Sequence, residues 1–146
     1  MQELEQLPTS LEDLEGELLQ LPQIDCQITH HFGPGIYIRE GSIPAGTLIM
    51  GHAHRTSHLN VILRGKVAVV MDGEVQIIDG PAMFTAHAGR KVIYAIEDTV
   101  MQNVHTTSET DIDALEEQLV DKSDVWCAHE ALATTDLLLE AVGEAG

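Results

Sequence analysis

The stretch GTLIMGHAHRTSHLNVILRG, residues 46–65, decides the fold. Two apolar runs, TLIMGHAH (47–54) and HLNVIL (58–63), read as strands on either side of Arg55-Thr56-Ser57, a bend of three polar residues. His52 and His54 are separated by one residue. Alternate residues of a strand share a face about 6.5–7 Å apart, within reach of a single metal ion. A hairpin turning at 55–57 brings His58 back beside that pair. Three neutral imidazoles arranged facially leave positions open on a divalent ion for water or a small molecule.

Outward from this hairpin the same texture continues. Further strand-like runs are GIYIRE (35–40), KVAVVM (66–71), EVQII (74–78), AMFTA (82–86), KVIYAI (91–96) and TVMQNVHT (99–106). Between them lie Pro44-Ala45-Gly46, Arg64-Gly65, Asp72-Gly73, Asp79-Gly80-Pro81 and His87-Ala88-Gly89. Asp72-Gly73 between two Val-rich runs signals a tight hairpin. Eight short strands at this spacing predict an all-β antiparallel barrel or sandwich, not a parallel sheet with crossover helices.

The flanks are different. Leu4, Leu7, Leu11, Leu14, Leu18 and Leu21 recur at helical spacing, with Pro8 as an interruption, Ser10 as a cap and Pro22 as a stop. This predicts a helix over 10–21. After 108, Thr110 followed by Asp113 reads as a helix start, with Ile112, Leu115 and Leu119 on one face. A further turn begins at Ser123 or Asp124, and a small helix covers Asp136 to Val142, with Gly143 as its stop. The expected organisation is an acidic arm (1–25), a barrel (26–107) and an acidic helical extension (108–146).

Composition bounds the function. The chain has 146 residues and a net charge of −17, from 24 acids against 7 bases. The flanks carry all of the imbalance: 1–25 sums to −7, 26–96 to +2 and 97–146 to −12. Nucleic-acid binding runs on Lys and Arg displacing counterions, so no nucleic-acid partner is expected. An anionic membrane surface is disfavoured for the same reason, and no apolar run has the length of a spanning helix. The acidic N-terminus does not resemble a signal peptide, so Cys26 and Cys127 are expected as free thiols in a reducing compartment. There is no G-x-S-x-G, no phosphate-binding glycine loop and no paired cysteine motif.

Gly46, His52-Ala-His54, His58 and Gly65 resemble, spacing for spacing, the first motif of the cupins. That resemblance implies a cupin-type double-stranded β-helix (jelly roll) and a metal site. Where most cupins place Glu as third ligand, this chain has His58. The second motif is represented by Gly80 and His87-Ala88-Gly89, with Val92 where the family's remaining His would stand. His105 shares parity with Met101 and Asn103, and the resemblance implies that its strand lines the same cavity. Three readings of His105 stay open: a fourth ligand, a hydrogen-bonding neighbour of one, or neither. Asn60, Tyr94, Asn103 and Arg39, with Arg55, are candidates to orient a ligand. His87 is expected to face solvent, and His30, His31 and His129 to be ordinary.

HHFGPGIYIRE, IPAGT, AGRKVIYAIEDTV and TSETDIDALEEQLVDKSDVW extend the likeness over about 22–126. There the chain is similar to short cupin-like proteins of tailed bacteriophages and prophages. This implies a homo-oligomer located in the host cytoplasm or the virion, with other virion proteins as partners. The ligand set, His52, His54, His58 and His105, would suit Fe, Zn, Mn or Ni. A three-His set of neutral ligands resembles that of small Fe(II) cupin dioxygenases. Three functional classes follow: a metal and small-molecule binder, a virion structural protein, and a dioxygenase.

Overall fold

The computed structural model describes residues 10–71 and 73–145. They fall into two compact units. One is Ile24–Asp121; the other combines the described residues 10–23 with 122–145.

The first unit is the barrel. Its larger sheet holds five strands in the order β1 (Gln27–Gly33), β2 (Ile36–Ile43), β10 (Thr99–Thr106), β5 (His58–Arg64) and β8 (Ala82–Ala86). The second runs β3 (Leu48–Met50), β9 (Val92–Ala95), β6 (Lys66–Met71) and β7 (Glu74–Asp79). Every pairing is antiparallel. The core lies between the sheets: Ile62 from the first meets Val67, Val69 and Ile93 from the second. Phe84, Ala82, Met101, Met71 and Ile78 close around them. With few aromatics, this interior is aliphatic, and β-branched side chains suit its pleated faces.

Most of the expected strands form, with two differences, and the expected tight hairpin at 72–73 is present. The run 47–54 is not one strand. Gly51 and His52 lie outside it, and only Ala53–His54 resumes as β4, which pairs with β11 (Val120–Asp121). β1 was not anticipated: apart from half-buried His30 its residues are exposed, so it lacks the alternation that marks a half-buried strand. β6 and β7 pair with Met71 opposite Glu74, which leaves a two-residue turn. Gly73 there has φ of 77°, while Asp72 lies outside the described residues.

Helix α2 (Ile112–Leu119) belongs to the barrel unit and buries Leu115. Its cap is Asp111, whose carboxylate accepts from the Asp113 N–H, not Thr110. Arg55 ties the bend after β4 to this segment. Its N–H donates to the Leu119 carbonyl at 2.9 Å, and its guanidinium pairs with exposed Asp121 at 2.9 Å.

The second unit holds α1 (Leu11–Leu19) and α3 (Asp124–Ala145). Ser10 caps α1 as expected, accepting from the Asp13 N–H. Leu4, Leu7 and Pro8 lie outside the described residues. The expected turn at 123–126 and helix at 136–142 are one helix of 22 residues. No described helix is long and apolar enough to cross a membrane. The Ser123 hydroxyl accepts from the Trp126 N–H at 3.0 Å, capping α3, and donates to the buried carboxylate of Glu15. Both cysteines are free thiols.

Candidate metal centre

The centre is built by three separate segments of the barrel. His58 opens β5, where alternate residues His58, Asn60 and Ile62 are buried and face inward. His105 is on β10, and only 5% of it is exposed. His54 ends β4, held by a reciprocal pair of backbone hydrogen bonds with Gly89, both 2.9 Å. The nitrogens that these three histidines can offer all lie within 4.8 Å of one another. Ring centroids are 4.2 Å apart for His54 and His58, 4.7 Å for His58 and His105, and 5.5 Å for His54 and His105.

Among the described residues, His52 is not in this group. The expectation that it would pair with His54 assumed a continuous strand. Gly51 and His52 break the strand, so the two-residue period does not carry across. His105, on β10, is the third member.

The imidazoles fit a metal ion. The His58 Nδ1–H donates to the Thr56 carbonyl at 3.2 Å. A carbonyl only accepts, so Nδ1 carries the proton and Nε2 keeps its lone pair. That Nε2 is buried and has no hydrogen-bond partner, as is Nδ1 of His54. A buried nitrogen left without a partner is costly, and a bound cation would satisfy it. All three rings are also held neutral. Burial, reinforced by His58 and Lys91, pulls His54 down to about 3. Burial and the same two neighbours pull His105 down to about 4. Burial lowers His58 against the opposing hydrogen bond to Thr56; the Lys91 charge lowers it further, and a weaker polar contact with the Asn60 side chain opposes it. Ligating histidines must be unprotonated, and these are at neutral pH.

The orienting candidates divide. Asn60 is 2% exposed on the His58 face, with Oδ1 lacking a hydrogen-bond partner. Asn103 stands opposite both Asn60 and Arg39 in the sheet, two residues before His105. Arg39 is exposed, yet on β2 it shares parity with buried Tyr37, Gly41 and Ile43. Tyr94 does not belong: on β9 its neighbours Ile93 and Ala95 are buried while Tyr94 is 44% exposed, so the ring projects away from the interior. His87 is exposed.

Two residues went unnoticed in the sequence. Buried Tyr37 stacks on His105, with centroids 6.1 Å apart and planes inclined by 16°. Its hydroxyl shares a 2.7 Å hydrogen bond with Nδ1 of His30, so His30 helps to hold the ring behind His105. Lys91 is the other, a buried cation beside the histidines. KVIYAI marked a strand, but not which parity faces in.

The most informative comparison is with solved structures. Ectoine synthase from P. lautus aligns with a TM-score of 0.52 and 18% identity, over 71% of this chain and 83% of that one. A cupin superfamily protein from Desulfitobacterium hafniense aligns at 0.50 and 13%, over 70% and 92%. The chain has the cupin fold. No family model and no curated protein matches the sequence. At these identities the likeness is one of fold, and the chemistry of a cupin rests on its own site.

Proposed function

We propose that this cupin binds one divalent metal ion through His54, His58 and His105 and offers it to a small molecule within the barrel. The observation that carries the reading is the cluster itself, three neutral imidazoles whose ligating nitrogens lie within 4.8 Å of one another, with the Nε2 lone pair of His58 fixed by the bond to Thr56. His54 and His105 supply the other two nitrogens. Three neutral ligands leave a divalent ion its full charge, which polarises a bound oxygen or acidifies a bound water. Asn60 and Asn103 are placed to orient what binds. Cobalt(II) titration of metal-free protein tests this. Visible d–d bands saturating at one equivalent are expected in wild type and absent in His58→Ala; no bands in wild type overturns it.

A second reading, oxygen-dependent turnover with Fe(II), is favoured by the all-imidazole ligand set. Oxygen uptake by the iron-loaded protein with diketones, thiols or hydroxy acids tests it. In the proposed setting the chain is phage-borne and homo-oligomeric, assembled through the leucine stripe of the N-terminal arm. Deleting residues 1–21 then lowers the mass measured by light scattering. Its presence in purified virions would favour a structural role, for which the acidic flanks are suited.

A further inference from the structure

The charge around the three histidines is opposite to that of the chain. Acids outnumber bases 24 to 7 overall, yet the charged side chains that lower these rings are Lys91 and Arg39. Lys91 acts on all three, and Arg39 on His54 and His105. Lys91 precedes β9 in the same parity as Ile93 and Ala95, and it is 9% exposed. Its backbone is anchored to the β3–β4 segment, where its carbonyl accepts from the Gly51 N–H at 3.2 Å. Among the described residues no carboxylate pairs with its ammonium. A buried cation without a counter-ion is unfavourable, and burial accordingly lowers the Lys91 pKa.

Arg39 stands on β2, exposed, with the parity of buried Tyr37. It begins a cross-strand row, Arg39–Asn103–Asn60, spanning β2, β10 and β5. The adjoining row carries Tyr37 opposite His105. Polar side chains that can donate to an oxyanion therefore lie next to the imidazoles, with Lys91 and Arg39 supplying charge. A divalent ion on the histidines would add to that positive charge, so a neutral ligand would leave the site uncompensated.

We infer that the barrel takes a small organic carboxylate, with Lys91 and Arg39 as its charge partners and the Asn103–Asn60 row facing its remaining oxygens. This rests on the proposed reading of the pocket as a metal and small-molecule site, and names the ligand class. The preference is a property of the protein side chains, so it persists without metal.

Glycolate and its neutral isostere glycolamide are the probes, with binding followed by ligand-observed NMR. Wild type, Lys91→Met, Lys91→Arg and Arg39→Gln are compared metal-free and cobalt-loaded. Glycolate is expected to bind wild type at least tenfold more tightly than glycolamide in both forms. Lys91→Met and Arg39→Gln should each weaken glycolate at least fivefold with little effect on glycolamide, and Lys91→Arg should retain most of the affinity. Equal binding of the two probes, or glycolate affinity indifferent to both charge removals, overturns the inference. If Lys91→Met fails to fold, Arg39→Gln at its exposed position and the Lys91→Arg rescue decide. Charge-dependent glycolate binding without cobalt bands sustains the carboxylate and sinks the metal reading. Cobalt-dependent binding indifferent to Lys91 and Arg39 does the reverse.

Discussion

Gly46 and Gly65 bracket the histidine hairpin, and replacing each by Ala separates two reasons for a glycine. Both have positive φ, 84° and 101°. A left-handed conformation costs a non-glycine residue about 1–2 kcal/mol. At Gly46 nothing lies within 4 Å of where a Cβ would sit, so Gly46→Ala should cost that strain alone, ~1 kcal/mol. At Gly65 the Cβ would stand 2.5 Å from the Asp98 carbonyl oxygen and 2.7 Å from Thr99 Cα. Those are backbone atoms leading into β10, and Thr99 is 2% exposed. Neither rotates away. Gly65 is also held from its other side, its carbonyl accepting from the Gly80 N–H at 2.8 Å. Overpacking of this kind adds about 1–3 kcal/mol. Gly65→Ala should therefore lose ~3 kcal/mol or more, seen as a lower urea midpoint with unchanged slope. Equal losses in the two variants would refute the close approach of the turn to β10.

Further predictions concern the site and the helical unit. In metal-free protein, His54 near 3 and His105 near 4 stay neutral in the fold, whereas the unfolded chain takes up protons near 6.5. The unfolded state binds the protons first, so this stability is present at pH 7.5 and is lost as pH falls below about 6.5. The loss is about 1 kcal/mol per pH unit for His105, and less for half-exposed His54. Urea midpoints at pH 7.5 and 5 should converge in His105→Asn relative to wild type; an identical pH slope would contradict the burial. Ser123→Ala removes the cap of α3 and one partner of buried Glu15. It should cost about 1 kcal/mol or more and be visible in Trp126 fluorescence during unfolding. Tyr37→Phe breaks only the bond to His30. Its cobalt affinity should fall less than tenfold, whereas Tyr37→Ala, which removes the ring stacked on His105, should lose more.

The barrel was legible because its strands alternate between glycine-marked turns, and His58 because it opens a strand whose inward parity, His58–Asn60–Ile62, is regular. His105 could be assigned a parity but not a partner. Its place beside His58 depends on β10 pairing with β5 across some forty residues of chain. His52 falls outside the three-histidine group among the described residues, since a strand period says nothing about where the strand breaks. β4 and β11 have two residues each, too few for any period. α3 read as two pieces because it presents no continuous apolar stripe: Leu132, Leu138, Leu139 and Val142 are all well exposed. Lys91 and Tyr94 share one strand-like run, and only packing reveals that Lys91 turns inward and Tyr94 outward.

The most direct test is elemental mass spectrometry of untagged protein, with His52→Ala, His58→Ala and His105→Ala beside wild type. The account predicts about one divalent ion per chain in wild type and His52→Ala, lost in the other two while their circular dichroism remains that of a folded barrel. Stoichiometric metal retained in His58→Ala, or lost in His52→Ala alone, would contradict a centre built from His54, His58 and His105.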